Sequence, residues 1–247
     1  MEQFSIVGKD VPRNDAVAKA RGSAIYTDDM KLPGMLFGQI LRSPVAHARI
    51  VNIDTRKASA LPGVKSVITG KDIPKVKYGN WRLFADTQDE YALAVDKVRF
   101  IGDEVAAVAA VDKETAREAI ALIEVEYEAL EGLFDIDSTI KECAPVIHDY
   151  CPGNVSVNRK IEYGDIEKGF AESDYVREDT FKVHSVSHAY LEPCSALAQV
   201  DLDGRITLWT STQTPYIVQC LLASTLEMRE NDIRVIKPFV GGGFGGK

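Results

Sequence analysis

Hydrophobic and polar residues alternate along several short stretches, and this period of two predicts half-buried β-strands. The run from Ala48 to Asp54 is the clearest case. Residues 1 to about 12 are predicted to be an extended arm, and 13–30 to hold turns around a short strand. Further strands are predicted at 35–42, 64–69, 95–101, 105–111 and 124–128, with 95–101 and 105–111 paired around Gly102-Asp103.

Helical spacing appears twice among these strands. Asp112 is a good N-cap for a helix over 113–123, whose apolar face carries Ala116, Ala119, Ile120 and Ile123. A shorter helix, 55–61, is predicted between Asp54 and Pro62-Gly63. Residues 70–91 lack periodicity and predict a loop with Trp81 as an anchor. Strands mixed with two helices indicate an α+β domain over 13–130.

The second half begins with a linker predicted at 131–160, which is rich in Asp, Pro and Gly. A second domain, incomplete, is predicted over 161–247. It starts with a helix at 165–171 and a long alternating strand at 175–188. Strands 195–201 and 205–212 follow, joined at the hairpin signal Asp203-Gly204. Thr214-Pro215 then starts a helix, whose predicted buried face consists of Ile217, Val218, Leu221, Leu222 and Leu226. A strand is predicted after it at 233–240.

Composition narrows the class of protein. The 247 residues carry a net charge of −8, which argues against a nucleic-acid partner. The start lacks a signal-peptide pattern, and no run of about 18 apolar residues occurs, so a cytoplasmic protein without membrane attachment is expected. The four cysteines form no C-x-x-C pair, so we expect reduced thiols and neither zinc nor iron–sulfur ligation by this chain.

The strongest local signal is Gly241–Lys247, in which five of seven residues are glycine. A glycine-rich loop after a strand lets backbone N–H groups approach a ligand closely. The spacing also fits G-x-x-x-x-G-K, so a P-loop nucleotide-binding protein is an alternative. The Ser or Thr that should follow Lys247 is missing, and so is the helix that would hold phosphate.

Three other polar positions are ambiguous from the residues alone. Gln213, between a strand and a helix, can contact a polar cofactor edge, although its position alone favours a solvated turn. His184 and His188 would lie roughly 13 Å apart on one strand, so they are not expected to share a metal. Glu192 is either a buried carboxylate or part of a surface turn before Pro193, and the surface turn is favoured.

Several ordered motifs resemble the xanthine dehydrogenase/aldehyde oxidase family of molybdenum hydroxylases. Residues 236–247 resemble that family's cofactor loop, most closely in the molybdenum-binding subunit of bacterial xanthine dehydrogenases. Residues 211–215 resemble its glutamine segment, and 190–193 another signature. The spacing of 31 residues between Gln213 and Phe244 also agrees with that family. Residues 21–29, 41–48 and 61–64 resemble its N-terminal α/β hammerhead domain, so the second domain would be the first part of a mixed α/β molybdopterin-binding domain.

The resemblance implies a reaction and its cofactors. A molybdopterin cofactor, often a cytosine dinucleotide in bacteria, would carry molybdenum and hydroxylate a purine, another N-heterocycle or an aldehyde with oxygen from water. Iron–sulfur clusters and FAD would lie on partner subunits. Gln213 would bond near the molybdenum oxo group, Phe244 and Gly245 would lie beside the metal, and Gly242 and Gly243 would let the loop pass close to the cofactor. No side chain would ligate molybdenum.

The chain departs from the family pattern in one respect. The general-base Glu and the remaining cofactor contacts lie beyond Lys247 in the family, so no catalytic residue is expected here and the chain alone is expected to be inactive. A second polypeptide would complete the site if the protein is naturally split; otherwise the chain would be a truncated product or a cut piece of a longer protein. A non-catalytic assembly module is a further alternative. Residues 160–247 alone are expected to expose apolar surface.

Overall fold

The computed structural model describes residues 4–79 and 87–247, so the predicted anchor Trp81 lies outside the described residues. The chain forms two compact units. One is Leu36–Ser187, and the other combines the residues up to Met35 with His188–Lys247. The predicted boundaries at 130 and 160 stay predictions.

The helices and strands of the described residues, in chain order, are α1 (Ala16–Ala20), β1 (Phe37–Arg42), β2 (Ala48–Asp54), α2 (Arg56–Ala60), β3 (Val64–Thr69), β4 (Tyr78–Gly79), β5 (Gln88–Glu90), β6 (Lys97–Val98), β7 (Glu104–Ala110), α3 (Lys113–Ala121), β8 (Glu124–Ala129), α4 (Ile136–Thr139), α5 (Ile166–Ala171), β9 (Ala196–Val200), β10 (Ile206–Thr210), α6 (Pro215–Thr225) and β11 (Ile233–Ile236). Short 3-10 helices cover Thr27–Asp29, Pro152–Asn154 and Glu230–Asp232.

The unit Leu36–Ser187 contains two antiparallel three-stranded sheets, ordered β1-β7-β3 and β6-β2-β8. The central strand β7 is rich in alanine, which lets α3 pack closely against its sheet. Ala116 and Ala119 of α3 are fully buried, as the helical spacing predicts. Asp112 caps this helix by accepting a hydrogen bond from the N–H of Thr115.

The predicted pairing of 95–101 with 105–111 is wrong. β6 is only two residues long and pairs with β2 in one sheet, whereas β7 lies in the other sheet. Gly102 and Asp103, which lie between β6 and β7, do not close a hairpin; they bond to Ser43, the residue directly after β1. Ser43 donates its N–H to the carbonyl of Asp103 and accepts from the N–H of Gly102.

Local differences also occur in three other segments. Residues 13–30 contain α1 and a 3-10 helix in place of the predicted short strand, and Tyr26 makes only an isolated bridge. The predicted loop 70–91 includes the short strands β4 and β5. Residues 4–12 hold bends and turns, so the described part of the predicted arm is not fully extended.

The long strand predicted at 175–188 is wrong. These residues form no regular secondary structure, and side chains such as Phe181 and Val183 are 86% and 95% exposed. Alternation alone does not make a strand, because the backbone N–H and C=O groups also need a neighbouring strand to pair with.

The second unit contains the sheet β11-β10-β9. β9 and β10 form the predicted hairpin, whereas β10 and β11 are parallel and connected through α6. α6 buries Cys220 and Ala223 most deeply, while Leu226 is exposed, so the predicted helix face is partly wrong. β11 ends at Ile236, earlier than predicted; Pro238, which has no N–H to donate, follows.

Candidate cofactor-binding site

Two neighbouring parallel strands bring the candidate residues together. Gln213 follows β10, and the loop Gly241–Lys247 follows β11. Because β10 and β11 run in the same direction, the segments after them emerge at the same edge of the sheet. This edge, at the carboxyl ends of parallel strands, is where α/β sheets commonly bind ligands. The topology therefore brings Gln213 together with the glycine loop, which begins 28 residues later in the sequence.

Gln213 contacts the loop twice. Its backbone N–H donates to the carbonyl oxygen of Lys247 at 3.0 Å. Its side-chain oxygen Oε1 accepts from the N–H of Gly245 at 3.0 Å, which fixes the orientation of the amide. Nε2 makes no hydrogen bond to the part of the chain that the structure describes. The favoured solvated-turn interpretation therefore misses the contacts, although Gln213 is exposed and keeps a free donor.

Glycine is required at several loop positions for two different reasons. Gly242 and Gly245 have φ values of +96° and +92°, which side-chain-bearing residues rarely adopt. A Cβ on Gly243 would lie 2.6 Å from Oε1 of Gln213, and one on Gly241 would lie 2.6 Å from Cβ of Glu192. The loop therefore packs directly against these two side chains.

The loop presents a row of backbone donors. The N–H groups of Gly241 and Gly245 are occupied by Glu192 and Gln213. Between them, the N–H groups of Gly242, Gly243 and Phe244 donate to no described residue. Consecutive free N–H groups form a site suited to an anion or an oxo ligand.

Phe244 lies at the tip of this loop in an unusual conformation. Its φ is +50°, and 74% of its surface is exposed. Non-glycine residues in this left-handed region carry strain of about 1–3 kcal/mol and cluster at functional sites. A large exposed aromatic ring held in this way is suited to contact a ligand.

Glu192 is not part of a solvated surface turn, so the favoured interpretation is wrong and the buried-carboxylate alternative is right. Its Oε2 lies 2.7 Å from Nζ of Lys247, and it also accepts from the N–H of Gly241 at 2.7 Å. The two ion-pair side chains are 10% and 0% exposed. The loop covers the carboxylate, a tertiary contact that Glu192-Pro193 does not reveal locally.

Two aromatic contacts complete this side of the site. The ring of Tyr190 lies 4.6 Å from Nζ of Lys247, a cation–π distance. The pKa of the Tyr190 hydroxyl is raised, because it forms a hydrogen bond with the thiol of Cys194. The Tyr190 and His188 rings are 6.4 Å apart, and Gly246 packs against His188. The contact between Tyr190 and Lys247 was not predicted from the sequence; only the two family signatures that contain these residues mark both positions.

The ion pair bears on the P-loop alternative. The lysine of a P-loop reaches toward phosphates, whereas Lys247 is buried against Glu192 and Tyr190. The structure gives nucleotide binding no support. His184 and His188 do not share a strand, so the distance predicted for them no longer applies. Within residues 4–79 and 87–247, no group of three potential metal-ligating side chains occurs.

The arrangement fits a cofactor whose metal is held by its own ligands. Gln213 Nε2 and the three N–H groups of the loop are all donors, which complement oxo and other electron-rich ligands. The close approach at Gly241 and Gly243 leaves no room for a Cβ beneath the loop. Fold and site together therefore define a chain that can place backbone and amide donors against a molybdopterin-type cofactor.

Comparison with known proteins identifies the family. Residues 21–131 match the family model "Aldehyde oxidase and xanthine dehydrogenase, a/b hammerhead domain", and residues 147–247 match "Molybdopterin cofactor-binding domain". The chain belongs to the xanthine dehydrogenase/aldehyde oxidase family of molybdenum hydroxylases. The predicted family and the predicted fold class, a hammerhead domain followed by the first part of a molybdopterin-binding domain, are confirmed.

The similar proteins include the large subunits of two dehydrogenases and an aldehyde oxidoreductase. The nicotinate dehydrogenase large molybdopterin subunit of Eubacterium barkeri is 36% identical over 246 residues, covering 100% of this chain and 56% of that subunit. The carbon monoxide dehydrogenase large chain of Afipia carboxidovorans is 38% identical over 261 residues, covering 100% of this chain and 32% of that large chain. The structure of aldehyde oxidoreductase from Desulfovibrio gigas superposes with a TM-score of 0.86 at 29% identity, covering 95% and 27%. The chain thus spans between 27% and 56% of the length of these relatives.

Proposed function

We propose that this chain forms one wall of the molybdopterin site of a molybdenum hydroxylase. The observation that carries the proposal is the Gln213–Gly245 contact, which uses the side-chain oxygen of Gln213 and leaves its side-chain Nε2 without a protein partner among the described residues. The three N–H groups of Gly242, Gly243 and Phe244 beside it also have no described partner. The family assignment of residues 147–247 supports the same ligand.

Each site residue has a distinct role in this proposal. Gln213 would donate from Nε2 to an oxo group of the bound cofactor, while its Oε1 holds Gly245. Gly242 and Gly243 would let the backbone approach the cofactor closely, and the exposed ring of Phe244 would contact it. Preorganised donors of this kind stabilise negative charge that develops during a reaction. These residues bind and orient, and none of them acts as a general base or ligates the metal.

When bound, molybdopterin supplies the redox chemistry that hydroxylates an electron-poor carbon with oxygen from water. This chain would supply the hydrogen-bond donors around the oxo group and would hold the cofactor in position. Iron–sulfur and FAD subunits are proposed as the partners that remove the electrons, and any remaining molybdenum-domain polypeptide would complete the site.

We propose an N-heterocycle as the substrate, in preference to an aldehyde. The support is the names of relatives, which include nicotinate, xanthine and nicotine enzymes at 33–37% identity. The exposed Phe244 ring offers an apolar face to a planar substrate. Turnover of nicotinate, xanthine, an aromatic aldehyde and carbon monoxide should be compared; activity confined to the aldehyde or carbon monoxide would contradict this choice.

The proposed location is the cytoplasm. No helix within the described residues is long and apolar enough to cross a membrane. All four cysteines are free, which agrees with a reducing compartment. Fractionation of the source cells tests the location, and recovery in an extracytoplasmic fraction would contradict it.

The test of the cofactor proposal distinguishes the roles of the side-chain oxygen and the side-chain nitrogen of Gln213. Gln213→Glu keeps an acceptor for Gly245 but replaces the free donor by an acceptor. We expect the full protein to retain its fold and to lose about 10²-fold or more in turnover, the usual effect of removing one charge-stabilising donor. Molybdenum per chain is measured alongside the rate.

Gln199→Glu is the matched control, because Gln199 is exposed on β9 and the charge change is the same. It should leave turnover and molybdenum content unchanged. Wild-type protein that contains neither molybdenum nor pterin would refute the proposal. Full activity of Gln213→Glu would refute the role given to the amide donor.

A further inference from the structure

One carboxylate oxygen joins the beginning and the end of the glycine loop. Oε2 of Glu192 accepts from the N–H of Gly241, the first residue of the loop, at 2.7 Å. The same atom lies 2.7 Å from Nζ of Lys247, the last residue. We call this arrangement of Glu192, Gly241 and Lys247 the clasp.

The clasp is nearly inaccessible to solvent. The side chains of Lys247 and Glu192 are 0% and 10% exposed, whereas pairs such as Arg229–Asp232 have at least one partner in water. The ammonium group also lies over the ring of Tyr190. Burying two charges is costly, and an apolar pair of similar volume would often stabilise a fold equally well. A buried carboxylate that bonds to both ends of a functional loop is therefore better explained by a requirement for one defined loop conformation.

The clasp also fixes residues that Glu192 does not contact. The carbonyl oxygen of Lys247 accepts from the N–H of Gln213, and Gln213 in turn holds Gly245. Gly246 donates its N–H to the carbonyl of Gly243 at 2.7 Å, which closes the turn between these points. The free donors of the loop lie within this closed ring of contacts. Opening the clasp would therefore release both the loop and its link to Gln213.

We propose that Glu192 is a positioning residue of the cofactor loop, acting through its buried ion pair with Lys247. The inference that the positioned ligand is molybdopterin rests on the proposed function. The positioning itself is a property of the chain and can be measured without cofactor. Glu192 is not proposed to touch substrate or metal.

Hydrogen exchange of the loop amides tests the proposal directly. The N–H groups of Gln213, Gly245 and Gly246 are hydrogen-bonded but do not contact Glu192. In the full protein, Glu192→Gln and Lys247→Met should each accelerate their exchange, on the order of 100-fold if a buried pair is broken. Lys247→Arg keeps the charge and should stay close to the wild type. A role in packing alone predicts the reverse, since methionine preserves the apolar stem.

Two further variants keep the test decisive. The double variant Glu192→Gln with Lys247→Met leaves no unpaired buried charge, so it should fold even if a single variant does not, and its loop amides should still exchange quickly. Asp232→Asn is the matched control, because it removes one carboxylate charge from the exposed pair with Arg229 in the same unit. That control should leave the three amides protected.

The outcomes separate this inference from the proposed function. Protected Gln213, Gly245 and Gly246 amides in the double variant would overturn the clasp, whatever the cofactor content. Fast exchange in that variant supports the clasp even if the wild type contains no molybdenum, a result that would refute only the cofactor assignment. If both ideas hold, molybdenum per chain should fall in Glu192→Gln and Lys247→Met and stay near the wild-type level in Lys247→Arg.

Discussion

Gly243→Ala isolates the position of the Gln213 amide from every other feature of the site. The added Cβ would lie 2.6 Å from Oε1 and 2.8 Å from Cδ of Gln213. Ordinary contact begins near 3.4 Å, so the amide has to retreat by about 0.8 Å. Gly243 does not have a positive φ, so alanine brings no backbone strain, and the exposed Gln213 side chain is free to move.

The displacement has a small structural effect and a large functional one. Moving Oε1 away from the N–H of Gly245 lengthens a bond of 3.0 Å and removes a net contribution of about 1 kcal/mol. A shift of about 1 Å in a positioning group can cost on the order of 10²-fold in rate. We therefore expect turnover of the full protein to fall by about that factor, while the unfolding transition moves only slightly.

Three measurements check this prediction. Turnover with the best substrate, molybdenum per chain and urea unfolding are compared between the wild type and Gly243→Ala. The control is Gly169→Ala in α5, where an added Cβ meets no atom within 4 Å and should be neutral or slightly stabilising. Wild-type turnover in Gly243→Ala would refute the reasoning, because the amide position would then not matter.

Two further predictions concern stability and surface. Asp112→Ala should lower the melting temperature by a few degrees without changing cofactor content, because it removes the cap of α3. The hydrogen bond from Thr115 holds the pKa of Asp112 below its usual 3.8, so this stabilisation is complete above that pH and is lost as the pH falls through the lowered pKa. Thermal unfolding from pH 2 to 7 should show the two proteins converging at low pH; a constant difference would contradict the linkage. Residues 161–191 expose many apolar side chains, so the chain should bind a hydrophobic dye, and Phe181→Ser with Val183→Ser should weaken the signal. An unchanged signal would show that the dye binds elsewhere.

Short-range chemistry made several elements predictable from the residues alone. The cap at Asp112 and the helix spacing located α3, because both depend on neighbours within one or two turns. The turn Asp203-Gly204 located the β9–β10 hairpin for the same reason. Gln213 and the glycine loop were recognised through their resemblance to a family, and the family is confirmed.

Long-range pairing was not predictable in the same way. Residues 95–101 alternate like a strand, yet only Lys97 and Val98 pair, and their partner is β2, about 50 positions earlier in the chain. Residues 175–188 alternate equally well and find no partner strand among the described residues. A period of two specifies which side chains can share a face, and pairing requires a second segment that the pattern does not identify.

The candidate site shows the same division. The sequence by itself determined that a glycine-rich loop and a polar glutamine stand at the ends of two predicted strands. Only the tertiary structure decided that these strands are parallel neighbours, and so that Gln213 meets Gly245. It also decided that Glu192 is buried beneath the loop with Lys247, 55 residues away. Burial and ion pairing depend on which surfaces cover a side chain, and that is a property of the folded chain and not of its neighbours in sequence.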